Sequence, residues 1–182
     1  MSKRLDVRKT HKLFIGGRFP RSESGRTFRW DASDGSAANI CRASRKDFRD
    51  SVTAAHGAFP GWAGRTSYNR AQIIYRCAEM LEGRSTQCRE ELRLQGVSAS
   101  AARKEVARAV DMLIYYAGWA DKYGQLFSRV NPVAAPYFNF TVPEATGVVA
   151  VVAPRESGLL GLLAALAPVI TGGNTCVTLA AR

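Results

Sequence analysis

Residues 147–182 read GVVAVVAPRESGLLGLLAALAPVITGGNTCVTLAAR, and the fold of the whole chain turns on them. Val148–Val152 carries no polar residue, is rich in β-branched side chains and lies between Gly147 and Pro154, the pattern of a parallel strand buried on both faces. From Leu159 a Leu- and Ala-rich run of helical length follows, closing at Gly172 and Gly173, where a left-handed cap meets no Cβ. Thr175–Leu179 is a second apolar strand. Strand, turn, helix and strand make one βαβ unit of about thirty residues, and such units set a ligand against the carboxyl end of their first strand. That end is Val152, Ala153, Pro154 and Arg155, followed by Glu156.

The rest of the chain leads up to this unit. Residues 12–19 hold Leu13-Phe14-Ile15 before Gly16-Gly17, and residues 27–30 hold a second β-like segment after Ser24-Gly25. They predict a surface hairpin that closes before the Asp34-Gly35 turn. Ser44 and Asp47 have capping-box spacing ahead of Phe48, Val52, Ala55 and Phe59, which trace one face of a helix ending at Pro60-Gly61. In residues 67–83, Ala71, Ile74, Tyr75, Ala78 and Leu81 share one side, with Arg70, Glu79 and Glu82 elsewhere. That is an amphipathic helix. A shorter helix over 85–95 stops at Gly96, and Ala102, Val106, Val110, Leu113, Ala117 and Ala120 define a long one reaching about Gly124. Its Tyr115, Tyr116, Trp119 and Tyr123 read as packing surface. Residues 137–142, YFNFTV, predict an exposed strand with Phe138 and Phe140 on one side, an edge seeking a partner.

Composition narrows the function. The chain has 182 residues, 46% hydrophobic and 23% charged, which suits one globular domain rather than a disordered segment. Its net charge of +11 favours polyanions, whether nucleic acid, an acidic membrane surface or a phosphorylated ligand. The basic residues are scattered and no nucleic-acid fingerprint accompanies them, so a solvated surface is the plainer reading and polyanion binding a distant one. Cys41, Cys77, Cys88 and Cys176 lack metal-site or redox spacing, and no metal ligands are assigned. They read as reduced thiols of the cytosol, with Cys77 and Cys176 packed in apolar runs and Cys88, beside Arg89, the more reactive. His56 and His11 have no nucleophile to serve. Residues 1–12 are basic without the apolar core of a signal peptide, and Asp6 argues against a transit peptide. The longest apolar run, 159–170, contains Gly161 and Pro168 and falls short of the ~18 residues that span a bilayer. The expectation is a soluble, cytoplasmic protein.

Several stretches together carry a resemblance. They are Leu13-Phe14-Ile15 with Ser24-Gly25 and Thr27-Phe28, F-P-G-W-A at 59–63, Arg70 with Ala78, Leu81 and Glu82, and Y-Y-A-G-W-A-D-K at 115–122. Gly147-Val148-Val149, Pro154, Leu159-Leu160, Leu166-Ala167-Pro168 and Gly173-Asn174-Thr175 with Val177 complete the series. In this order they resemble the amino-terminal portion of the aldehyde dehydrogenase superfamily. The resemblance implies an α/β fold: an N-terminal β-hairpin and amphipathic helices over 11–124, an extended bridging or oligomerisation arm over 125–146, and over 147–182 the first βαβ unit of an incomplete Rossmann-like parallel sheet. The whole of 1–182 is then one partial domain.

It further implies NAD or NADP, met by the backbone of Val152, Ala153, Pro154 and Arg155, and assembly into a homo-oligomer or with a partner chain through 137–142. The family's nucleophilic cysteine and carboxylate base lie further along than Arg182, so no catalytic residue is assigned here. Two positions depart from the pattern. Arg155-Glu156 stands where the family has Trp-Asn, and residues 179–182, Leu-Ala-Ala-Arg, stand where it has Lys-Pro-Ser-Glu. An ionised glutamate only accepts hydrogen bonds and cannot stabilise an oxyanion, and Leu179 cannot reach ribose hydroxyls as a lysine does. The expectation is the amino-terminal part of an aldehyde-dehydrogenase-like oxidoreductase that is inactive as this chain, with weak or no cofactor binding. The alternative is a non-catalytic pseudoenzyme or assembly module.

Overall fold

A computed structural model describes residues 7–180; the reading of Asp6 and the last two positions of the 179–182 comparison lie outside them. In chain order the elements are β1 (Thr10–His11), β2 (Thr27–Asp31), β3 (Ala37–Cys41), α1 (Arg45–Ala63), α2 (Ser67–Gly83), α3 (Ser85–Leu94) and α4 (Ala99–Trp119). Then follow α5 (Tyr123–Phe127), β4 (Arg129–Asn131), β5 (Asn139–Thr141), β6 (Val148–Val152), α6 (Leu159–Thr171) and β7 (Thr175–Leu179).

The βαβ unit forms as its sequence predicts. β6 and β7 pair in parallel from Val148 opposite Thr175 to Val152 opposite Leu179, with α6 as the crossover. Gly173, at φ +83°, ends the helix in the left-handed region, where a Cβ would be strained. Asn174 Oδ1 accepts from the N–H groups of Thr146 (2.7 Å) and Gly147 (3.0 Å), tying the entrance of β6 to that of β7. One expectation fails here. β6 is not buried on both faces: Val151 is buried, but Ala150 and Val152 are exposed, Val152 by 71% and Leu179 opposite it by 66%. A two-stranded sheet has an uncovered face, and alternate side chains point to it.

The helices build the core around α4. Ile74 and Ala78 of α2 meet Val110, Leu113 and Ala117 of α4 and Ala167 of α6. Leu92 of α3 meets Ala102 and Val106 of α4, with Leu159 of α6 against them. Alanines at the contacts let the helix axes approach closely. α2 has the predicted bounds, yet two of its side chains differ from expectation. Cys77 is exposed rather than packed, and Arg70, set apart from the apolar face, is only 5% exposed. Burial is possible because its guanidinium sits where α1 and α6 both end and donates to backbone carbonyls there, which carry the negative ends of the helix dipoles.

α1 opens with the predicted capping box, Ser44 Oγ accepting from the Asp47 N–H (3.2 Å) and Asp47 Oδ2 from the Ser44 N–H (2.7 Å). It continues through Pro60 to Ala63 instead of ending at Pro60-Gly61, since proline in the last turn removes a single donor. Phe48, placed on its buried face, is 58% exposed. The later part of α1 is anchored to the βαβ unit, Thr175 Oγ1 donating to the Ala55 carbonyl (2.9 Å) and Trp62 Nε1 to that of Ile170 (3.0 Å).

The first sheet corrects the hairpin. Its order is β1-β3-β2, and the true hairpin joins β2 to β3 across the Asp34-Gly35 turn. β3, Ala-Ala-Asn-Ile-Cys, carries too few β-branched side chains to signal a strand; pairing on both edges makes it one. Residues 13–20 fold on themselves, Ile15 and Arg18 exchanging backbone hydrogen bonds of 3.0 and 3.1 Å around Gly16 and Gly17, both at positive φ. The long helix breaks at Trp119 and resumes as α5, and the predicted 137–142 strand contracts to β5, paired antiparallel with β4. Phe138 and Phe140 do share a side, their rings 5.3 Å apart and exposed. Among the described residues no helix is long and apolar enough to cross a membrane.

Candidate functional site

At the carboxyl end of β6 the backbone leaves the sheet within one residue. The Ala153 N–H still donates to the Leu179 carbonyl (3.0 Å), extending the ladder, while Pro154, Arg155 and Glu156 turn outward and are exposed. Val152, Ala153, Pro154 and Arg155 therefore form one contiguous rim on which Pro154 and Arg155 are exposed while Ala153 is buried with its N–H already used, and the register brings Leu179 beside it. The turn lies tightly on the start of α6. A Cβ on Gly161 would come 2.4 Å from Pro154 Cγ, so this approach requires glycine.

The start of α6 is capped only in part by its own residues, Ser157 taking the Gly161 N–H. Gly158 stands at the N-cap without a side chain, and the first N–H groups of a helix lack intrahelical acceptors. Glu105 of α4 supplies one. Its Oε1 accepts from Ser157 Oγ (3.0 Å), the Leu159 N–H (2.9 Å) and the Leu160 N–H (3.2 Å), and Ser157 Oγ accepts in turn from the Gly161 N–H (3.2 Å). Sequence reasoning passed over Glu105, which lies in a charged turn beside Arg103 and Lys104. The available signal was the helix start itself: Ser157-Gly158-Leu159 leaves donors that some distant acceptor must take.

The chemistry of this rim is limited. Arg155 and Glu156 have no ion-pair partner among the described residues, so a cation and an anion stand side by side at its mouth. The position opposite Val152 carries the apolar Leu179. No cluster of metal-ligating side chains occurs among the described residues. His11 and His56 are both exposed. Cys88, the more reactive thiol by sequence, packs against Leu92, Ala102 and Val106, and the guanidinium of Arg89 is turned to Ser85 and Thr86 instead.

The carboxylate of Asp47 is the most perturbed ionisable group near the first sheet. Burial pushes its pKa up, but donors from Ser22 Oγ (2.6 Å) and the N–H groups of Ser44 (2.7 Å) and Glu23 (3.2 Å) outweigh this and hold it at about 2. It joins the 22–23 turn to α1, remote in sequence from the rim, and its role is structural.

Similar proteins bear on what this rim belongs to. The model of the aldehyde dehydrogenase family matches residues 28–181. The chain is 31% identical over 185 residues to the cytosolic 10-formyltetrahydrofolate dehydrogenase of Xenopus laevis, a match covering 95% of this chain and 20% of that protein. It is 30% identical over 173 residues to aldehyde dehydrogenase, cytosolic 1 of Elephantulus edwardii, covering 91% of this chain and 34% of that one. The crystal structure of PnpE in complex with nicotinamide adenine dinucleotide superposes with a TM-score of 0.87 at 28% identity, over 92% of this chain and 35% of that one. The chain thus spans from 20% to 35% of the length of these relatives. Sequence and superposed fold agree over the same residues, and the chain belongs to the aldehyde dehydrogenase family.

Proposed function

We propose that this chain is the amino-terminal part of an NAD(P)-dependent aldehyde-oxidising enzyme, in which Val152, Ala153, Pro154 and Arg155 form one wall of the dinucleotide site. The observation that carries the reading is the open rim at the carboxyl end of β6, in a parallel βαβ unit, within a chain whose relative of the same fold is a nicotinamide adenine dinucleotide complex. In this reading 11–124 is the supporting hairpin-and-helix portion, 125–146 the assembly arm and 147–182 the start of the cofactor-binding portion.

The residues present fit only part of the cofactor. The exposed backbone at Pro154 and Arg155 suits hydrogen bonding to a nucleoside, and Arg155 offers one charge to a phosphate. The diphosphate has no match: a glycine-rich phosphate turn is missing between β6 and α6, Glu105 fills the helix terminus, and Leu179 replaces a cation beside the rim. Losing one hydrogen bond to a charged group weakens binding by ~1.5 to 3 kcal/mol, about ten- to a hundredfold. NAD or NADP therefore binds this chain no better than in the millimolar range. Aldehyde oxidation also needs a nucleophilic cysteine, and none stands at the rim, whose exposed carboxylate is Glu156.

The test is aldehyde-dependent reduction of NAD⁺ and NADP⁺ by the purified chain, together with calorimetric titration of each cofactor. No turnover and millimolar binding are expected. Turnover abolished by a substitution within this chain, or micromolar binding lost on changing Pro154 and Arg155, refutes the reading. A second reading, a non-catalytic assembly module, draws on the β4–β5 hairpin, whose Tyr137, Phe138 and Phe140 are all exposed. Homo-oligomerisation through that arm is compatible with both.

A further inference from the structure

The helices α1, α2 and α4 begin under their own caps, Ser44, Thr66 and Ser98, each accepting from a backbone N–H three residues on. α6 has no side-chain bond at its N-cap Gly158; Ser157 Oγ takes the Gly161 N–H, and the acceptor for the Leu159 and Leu160 N–H groups lies more than fifty residues earlier in sequence, on α4. The carboxylate that serves it stands on a rigid support. Ala102 and Val106, on the same face of α4 as Glu105 or next to it, are buried in the second core cluster, and Leu159 itself packs there. A fixed anion at the positive end of a helix satisfies both the dipole and the orphan donors.

We propose that Glu105 is a positioning residue for the 153–158 loop, holding it in place through the first turn of α6 and closing that helix terminus to phosphate groups. Three donors converge on one oxygen, and two of them, Ser157 and Leu159, bracket the point where the loop becomes helix. Ser157 relays the constraint to the Gly161 N–H, and Gly161 carries Pro154 on its bare Cα. The path of Pro154, Arg155 and Glu156 is thus set from α4, outside the βαβ unit that contains it. A ligand phosphate approaching Leu159 and Leu160 finds their N–H groups taken by a group of its own charge. A dinucleotide at the rim must then place its diphosphate away from α6; that consequence alone rests on the cofactor reading above.

The experiment uses the full chain, labelled with nitrogen-15, as wild type, E105Q and E105A. Amide exchange at Leu159 and Leu160 is expected to rise about tenfold or more in E105A and only a few-fold in E105Q, which keeps an oxygen acceptor. Inorganic pyrophosphate is expected to leave these amides unmoved in the wild type and to shift them saturably in E105A. Pyrophosphate shifts of equal size in wild type, or exchange in E105A within about twofold of wild type, overturn the proposal. Should E105A not fold, E105Q decides: raised exchange confined to residues 157–161 supports it, and unchanged exchange refutes it. NAD added to the wild type, read at the amides of Ala153 and Arg155, tests the cofactor reading separately; silence there removes that reading, while the role of Glu105 still stands or falls on exchange and pyrophosphate.

Discussion

Replacing Arg70 by methionine is expected to be strongly destabilising. The guanidinium is 5% exposed and has no carboxylate partner among the described residues. Its Nε donates to the Thr171 carbonyl (3.3 Å), Nη1 to those of Ala63 (3.4 Å) and Arg65 (2.6 Å), and Nη2 to Ser67 Oγ and Tyr123 OH (both 3.4 Å). Every N–H group is used, and the charge is balanced by the carbonyl ends of α1 and α6. Methionine preserves length and apolar bulk but donates nothing, leaving the carbonyls at Ala63, Arg65 and Thr171 without their partner. Each buried acceptor left unmade costs about 1–3 kcal/mol. The cleft at this junction, about 330 Å³ and lined also by Phe59, Tyr123 and Gly173, admits water to some of them. With only the Thr171 bond fully buried and Arg65 itself exposed, the sum is then about 2–4 kcal/mol. Lysine keeps the charge and up to three donors, and is expected to cost about half as much. Urea unfolding followed by far-ultraviolet circular dichroism measures both. A domain has only about 5–15 kcal/mol in total, so if R70M does not fold, R70K reports the effect. An R70M protein within about 1 kcal/mol of wild type would show that desolvation of the guanidinium cancels its hydrogen bonds, refuting this account.

Three further outcomes follow from other sites. Asp47 titrates at about 2 in the folded chain against its ordinary 3.8, so its contribution is complete above about pH 4 and is lost as pH falls through 2. The acid-induced loss of about 1–2 kcal/mol should be absent in D47N, and an identical acid profile for D47N and wild type would contradict it. G161A places a methyl 2.4 Å from Pro154 Cγ and is expected to destabilise by about 1–3 kcal/mol while shifting the backbone resonances of residues 153–157; unchanged resonances there would count against the close approach. Serine at Phe138 and Phe140 together removes the exposed ring pair of the arm and is expected to weaken self-association in size-exclusion chromatography at unchanged melting temperature, whereas equal elution volumes would detach the arm from assembly.

Much of the fold is written in short stretches. The Ser44–Asp47 capping box, the bounds of α2, the stop at Gly96 and the order β6, α6, β7 all rest on interactions within a few residues, and each is legible without any knowledge of the partner surface. The carboxyl end of β6 is legible for the same reason, since a strand that meets a proline must leave the sheet there. What tertiary structure alone decided involves acceptors and surfaces far apart in sequence. Arg70 looks like a solvent-facing residue until α1 and α6 are found to end at its guanidinium, and Glu105 looks like one more surface charge until the Leu159 and Leu160 N–H groups of α6 are found to end on it. β3 becomes a strand because β1 and β2 occupy both its edges, against its own weak propensity. Phe48 and Val152 read as core and are exposed, because hydrophobic pattern states which side chains favour burial, whereas only the packed chain determines how much surface is there to cover them.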